Sequence, residues 1–238
     1  MSIIISSMTI ADQFQNAKFL LSQLKNQNGQ PMFPTQADID GQTIVQHTLR
    51  SEVKLTASAT QFVIPVTTQN NLSGITFPTE NRLAINDIFV CVDFNVSVAK
   101  PASDADTEFR LYNYGSPTVF TSANTAAAIN SMYNKGYITW VNKQKVVAPH
   151  WDLLKHFKVP NQQAAANAYY ASSAINYTDE YDGAIDGFYP TAPNWIFNGA
   201  GNIQMTLNLP SNMAAVETYE RLVVQYRGFL LQNSSQVQ

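Results

Sequence analysis

Two long stretches of this chain alternate apolar and polar residues with a period of two, and that pattern admits few architectures. Val45, Leu49, Val53 and Leu55 alternate with Gln46, Thr48, Arg50, Glu52 and Lys54; farther on, Ile88, Val90, Val92, Phe94, Val96 and Val98 form one face, with Asp93, Asn95 and Ser97 opposite. A period of two puts successive side chains on opposite faces of a strand, so each run predicts a sheet strand with one wet or partner-facing side. Each is also about twice the usual strand length of ~5–6 residues. Phe62, Ile64 and Val66 continue in kind, Phe109 to Tyr114 reads as a short aromatic strand, and Tyr137 to Val147 as another carrying Trp140 and Val141. Ile203, Met205, Leu207 and Leu209 alternate up to Pro210, and Tyr219 to Gln232 closes the chain with a long mixed strand.

Helical patterns fall between these strands without taking turns with them. Ser122 to Asn134 reads as a helix ending before Gly136, Trp151 to Phe157 as a helical patch stopped by Pro160, and Gln162 to Ala174 as a further Ala-rich helix. Asn176 to Gly201, with Pro190, Pro193 and four glycines, reads as a long loop or a short strand within loops. A parallel α/β sheet needs strand and helix in strict turn. The tally of about eight principal strands therefore predicts a mainly β protein: an antiparallel jelly-roll β-sandwich with short helices in the connections and an N-terminal helix. No internal repeat announces a second barrel, so one barrel is favoured, with two small barrels the alternative. The expected division is an N-terminal helical arm and linker over 1–33 and a β-sandwich over 34–238.

The arm is read from Ile10, Phe14, Ala17, Leu21 and Leu24, which recur at steps of four and three between Thr9 and about Lys25. Thr9 can cap this helix, and Asp12 stands in its first turn, where a carboxylate favours the helix dipole. The stripe either packs on its own domain or reaches out, through Ile10, Phe14, Leu21 and Leu24, to a neighbouring subunit or a membrane surface. The polar run Asn26-Gln27-Asn28-Gly29-Gln30-Pro31 reads as a linker, so removing residues 1–30 is expected to leave the β domain folded and to impair assembly. The first eight residues lack a basic flank, which predicts folding in a reducing cytosol. Cys91, the single cysteine, is expected inside a sheet.

Composition narrows the function. Forty of the 238 residues are Asn or Gln, only 13% are charged, and the net charge is −3. Copies of such a chain repel one another weakly, which permits self-association. The 14 basic residues are scattered; the closest group, Lys135, Lys143, Lys145, Lys155 and Lys158, is broken by apolar residues, so no direct sequence-specific nucleic-acid contact is expected. His150 and His156 stand six apart, and His47 lies on a strand, so they form no metal pair. The acidic run Asp179 to Asp186 fits no calcium-loop frame and reads as a solvated loop. With no nucleophile elbow and no phosphate-cradling loop, the reading is of a protein that is not an enzyme and has no cofactor, metal or catalytic residue. The four Asn-x-Ser/Thr matches are expected to be unmodified.

Several segments together carry a resemblance: Phe109-Arg110-Leu111-Tyr112-Asn113-Tyr114, Pro149-His150-Trp151-Asp152-Leu153-Leu154-Lys155, Gly187-Phe188-Tyr189-Pro190 and Tyr226-Arg227-Gly228-Phe229-Leu230. From about Pro34 onward the chain resembles the coat proteins of tailless icosahedral bacteriophages, particularly those with an internal lipid membrane. The resemblance implies upright jelly rolls, often two per chain, assembled as trimers that tile over a membrane. The expected partners are further copies of the chain, other virion proteins and that membrane, and the expected location is the virion, after synthesis in the host cytoplasm.

The closing strand supplies the interface candidates. Leu222, Val224 and Tyr226 alternate with Val223, Gln225 and Arg227, so both faces carry bulk. Such a strand is either central or sealed by another subunit, and Arg221, Tyr226 and Arg227 are the residues expected at that seam. The alternative function is a carbohydrate- or receptor-binding jelly-roll module of a virion, with Trp195, Tyr189 and Tyr181 as stacking platforms. A cupin-like enzyme is the weak third reading.

Overall fold

Eight strands form two antiparallel four-stranded sheets in the computed structural model, which describes residues 9–25, 28–68, 82–106, 108–117, 119–122, 124–142, 145–159, 187–201 and 203–232. The strands are β1 (Ile44–Lys54), β2 (Gln61–Ile64), β3 (Ile88–Ala99), β4 (Tyr137–Asn142), β5 (Lys145–Asp152), β6 (Tyr189–Asn198), β7 (Ile203–Asn208) and β8 (Arg221–Leu231). One sheet has the order β1-β8-β3-β6 and the other β2-β7-β4-β5. Their facing sides bury one core that includes Leu49, Phe62, Phe94, Val96, Trp140, Met205, Leu207 and Tyr226. The mainly β sandwich expected from the alternating runs is thus present.

The face assignment of β3 needs correction. Ile88 and Val90 do not share a face with Phe94, Val96 and Val98: they face outward, while Phe89 and Cys91 point into the core. The cause is a bulge. Cys91 pairs with Gly228 and Asp93 with Arg227, so β3 advances two residues where β8 advances one, and every side chain beyond Val92 changes face. Thr191 Oγ1 donates to the carbonyls of Cys91 and Val92 at 2.9 and 3.0 Å, which satisfies the bulged backbone. Opposite the bulge, a Cβ at Gly228 would stand 1.9 Å from the Val90 carbonyl oxygen, so only glycine permits this approach. Cys91 is fully buried, and burial, aided by the Asp93 charge, pushes its thiol well above the ordinary range.

Both flanks of the first sheet are covered. Helix α1 (Ile10–Ser22) starts with a capping box in which Thr9 Oγ1 accepts from Asp12 N–H and the Asp12 carboxylate accepts from Thr9 N–H at 3.1 Å. Its apolar stripe, with α2 (Gln36–Asp40), buries Ile88, Val90, Phe229 and Leu231. Near the other end of β3, Asn95 and Ser97 are fully buried rather than wet. Asn113 Nδ2 donates to Asn95 Oδ1 and to the Val96 carbonyl at 2.7 and 2.8 Å. The segment 109–114 that covers them is no strand; it meets β3 through one bridge, Tyr112 to Val98, where β6 no longer pairs with β3.

Three other expectations change. Tyr137 to Val147 is the hairpin β4–β5, not one strand, and Trp151 to Phe157 is the end of β5 followed by a 3-10 turn at Leu153–His156. Within 176–201, expected to be a long loop or a short strand within loops, residues 189–198 form the ten-residue strand β6. Its place at a sheet edge explains how Pro190 and Pro193 fit, because an edge strand leaves N–H positions outside the ladder. Helix α3 (Thr125–Lys135) begins three residues later than expected, after Asn124. The expected helix at Gln162–Ala174, the acidic run 179–186 and Tyr181 lie outside the described residues.

Candidate interaction surfaces and an aromatic cleft

The seam residues expected on the closing strand are mostly used within the subunit. β8 is central, flanked by β1 and β3. Tyr226 is fully buried in the core, its hydroxyl 3.3 Å from Met205 Sδ. Arg221 is also fully buried: its guanidinium pairs with Glu52 at 2.5 Å, donates to the Ser103 carbonyl at 2.7 Å, and lies 5.3 Å from the Phe109 ring centroid. Glu52, expected on the wet side of β1, has no exposure and also meets Arg50 Nε at 3.0 Å. These acceptors are intramolecular, so Arg221 and Tyr226 are corrected to internal residues. Arg227 alone of the three faces solvent, with 44% side-chain exposure, while it grips Asp93 through two bonds of 2.8 and 2.6 Å and stacks 3.6 Å from the Phe188 centroid.

The stripe of α1 likewise turns inward, the first of its two readings. Leu21 and Ala17 are buried, Phe14 lies 5.5 Å from the Phe229 ring, and Leu24 packs against the same cluster. Among the four residues expected to touch a membrane or a neighbour, only Ile10 is open, at 64% exposure, and Phe19 from the polar face joins it at 62%. Removing α1 would therefore expose Ile88, Val90 and Phe229, so a truncation at residue 30 is not a cut through an independent arm.

The edge strands β5 and β6 frame a cleft of about 350 Å³. All three tryptophans of the chain line it, together with Asn142, Val147, Ala148, Pro193, Asn194 and Ile196. Trp195 sits 4.9 Å from Trp140 and 5.1 Å from Trp151, with Phe94 5.0 Å behind it. Trp195 is thus a buried wall, not the exposed stacking platform expected of it; Tyr189 is partly exposed. The indole N–H groups are treated differently. Trp151 Nε1 donates to His156 Nε2 at 3.0 Å, whereas Trp140 Nε1 and Asn142 Oδ1 are buried with no hydrogen-bond partner among the described residues. No sequence pattern signalled this convergence, because the three tryptophans come from three strands in two sheets. Beside the cleft, Val146 and Val147 of β5 stand exposed with Leu154.

His156 and Glu220 are buried titratable groups with opposite shifts. His156 is held neutral: Nε2 accepts from Trp151, Nδ1 bonds the Gly187 carbonyl at 3.2 Å, and burial, aided by Lys155 and Lys158, lowers it to about 4. Glu220 has no exposure, and burial chiefly pushes it up to about 7, against the opposing pull of the Glu217 backbone N–H. The lowered histidine adds stability above about pH 6.5 that is lost as pH falls through 4. The raised acid adds stability below about pH 4.5 that is lost as pH rises through 7. Between these limits the slopes oppose each other, at about 1.4 kcal/mol per pH unit each. Glu220→Gln is expected to be more stable than the parent by up to about 3 kcal/mol at pH 8. It should also unmask a rise in stability from pH 4 to 6.5. Urea midpoints across pH check both, and parallel profiles for the two proteins would refute the assignment.

Among the described residues no cluster of His, Cys, Asp and Glu could hold a metal ion, and no helix is long and apolar enough to cross a membrane. Compared with models of protein families and with curated proteins, the sequence matches neither.

Proposed function

We propose that this chain is a structural capsid subunit, a single jelly roll that self-assembles through trimers into an icosahedral shell. The observation that carries the reading is the pairing scheme. β1 pairs with β8, β2 with β7, β3 with β6 and β4 with β5, all antiparallel, as one long hairpin rolled into two sheets would give. Rolling supplies the remaining neighbours, β3 beside β8 and β4 beside β7. All eight strands of the described residues fit one roll, which favours one barrel over two.

Composition supports the same reading from another side. A subunit surface with 13% charged residues and a wealth of amides suits repeated polar seams, which are formed by hydrogen bonds more than by ion pairs. Exposed apolar residues lie at several separated places, among them Ile10 and Phe19 on α1, Val45 on β1, Val63 on β2 and Val146 and Val147 on β5. Separate patches suit contacts with more than one neighbour. A lipid layer, further virion proteins and a location in the virion remain part of this proposal.

Sedimentation and negative-stain electron microscopy of the expressed full chain test it. Trimers, sheets or shells are the expected result. A monomer that stays monodisperse at high concentration would overturn it.

A further inference from the structure

We propose that Asn28, in the loop between α1 and α2, is a site of spontaneous covalent modification, at which the side-chain amide converts through a succinimide to aspartate and isoaspartate. The inference is independent of the capsid reading, since the chemistry needs only one folded chain and water.

The chain has two Asn-Gly pairs, Asn28-Gly29 and Asn198-Gly199. In such a pair the backbone nitrogen of the glycine can reach the side-chain amide carbon, because no Cβ stands in the way. At the first pair the Gly29 nitrogen gives up its proton and bonds to Asn28 Cγ, which closes a five-membered ring, and the side-chain nitrogen departs as ammonia. Water then opens the ring at one of its two carbonyls. Opening at Cγ leaves aspartate; opening at the backbone carbonyl leaves isoaspartate, with the main chain rerouted through the side chain. Either way an amide and water become a carboxylic acid and ammonia, and no oxidant or reductant takes part.

The structure withholds Asn198-Gly199 from this reaction. Gly199 N–H donates to the Asp87 carbonyl at 2.9 Å, so the attacking nitrogen is already engaged. Asn198 Oδ1 accepts from Ala200 N–H at 3.0 Å, which fixes the amide. Asn198 pairs with Ile88 at the end of β6, and a Cβ at Gly199 would stand 1.7 Å from the Ala84 carbonyl oxygen, so this backbone is wedged in place. Asn28-Gly29 stands otherwise. Both residues are exposed, in a loop whose ends are tied by the Lys25–Pro31 bridge and by Met32 N–H donating to the Leu24 carbonyl at 2.8 Å. Gly29 has a φ of +79°, and a Cβ there would meet nothing within 4 Å among the described residues. The backbone at this pair can turn toward ring closure without displacing packed atoms. The product adds a carboxylate to a chain of net charge −3, between the two helices that cover Ile88, Val90 and Phe229.

The experiment ages the full, folded chain in mildly alkaline buffer, which favours loss of the attacking proton, and follows both pairs by peptide mapping with mass spectrometry. Aspartate and isoaspartate appear as two peptides of equal mass that elute apart. A second sample is aged unfolded in guanidinium chloride. In the folded chain the Asn28 amide should be lost about tenfold faster than that of Asn198, or more, and unfolding should bring the two rates together. Gly29→Ala, which puts a methyl group beside the attacking nitrogen, should slow the loss at Asn28 about tenfold, with circular dichroism to show that the variant is folded. Retention of the Asn28 amide throughout ageing of the folded chain overturns the proposal. So does equal loss at the two pairs in the folded chain, or a Gly29→Ala variant that loses the Asn28 amide as fast as the parent.

Discussion

Replacing Arg221 by methionine is expected to lower the stability of the chain by about 3 kcal/mol or more. Both Arg221 and its partner Glu52 have no side-chain exposure, and their charges face each other across the β1–β8 pair. Methionine fills much of the volume but removes the guanidinium from the buried Glu52 carboxylate, which keeps Arg50 at 3.0 Å and the more distant charge of Arg82. The Ser103 carbonyl also loses its donor. Arg227→Ala is the control: its pair with Asp93 is formed on a side chain 44% exposed, where water screens the charge, so the expected cost is below about 1 kcal/mol. Glu52→Gln combined with Arg221→Met should restore part of the loss, because the buried charge is then gone. Urea denaturation of the four proteins decides the matter. If Arg221→Met and Arg227→Ala cost the same, the buried pair contributes nothing particular.

The second large effect is expected at Phe94, where alanine should cost about 3–5 kcal/mol. This ring is fully buried where the two sheets meet, with centroids of His156 at 4.6 Å, Trp195 at 5.0 Å, Trp151 at 5.1 Å and Tyr226 at 6.2 Å. Removing it would leave a cavity against aromatic neighbours that are themselves wedged and relax little. The same void would border the tryptophan cleft, so near-ultraviolet circular dichroism should weaken along with stability. Phe94→Leu keeps more of the volume and is expected to lose less. A loss under about 1 kcal/mol for alanine would mean that the sheets can close over the gap and that the aromatic cluster is not a rigid wall.

Both effects depend on features that the linear pattern misassigned. Glu52 reads as a wet residue of an alternating strand, and Phe94 as sharing a face with Ile88 and Val90. Period two reports only that successive residues alternate, so a single inserted residue at Val92 reverses the faces on one side of it without disturbing the apparent alternation. The burial of Glu52 follows from Arg221 across the ladder, a partner 169 residues away in sequence.

What the sequence by itself determined is the local layer of the fold. Alternation placed β1, β3, β7 and β8 close to their observed bounds, the spacing of Ile10, Phe14, Ala17 and Leu21 marked α1, and Thr9 with Asp12 marked its start. Those signals are legible because period and capping are set by neighbours within a few residues. Only the tertiary structure decided the rest: that β6 exists despite its prolines, because it lies at an edge; that the stripe of α1 covers the chain's own sheet; and that three tryptophans from β4, β5 and β6 meet in one cleft. Each of these is a contact between segments far apart in sequence, and which distant face meets which is fixed by the pairing of strands, a quantity that no local pattern contains.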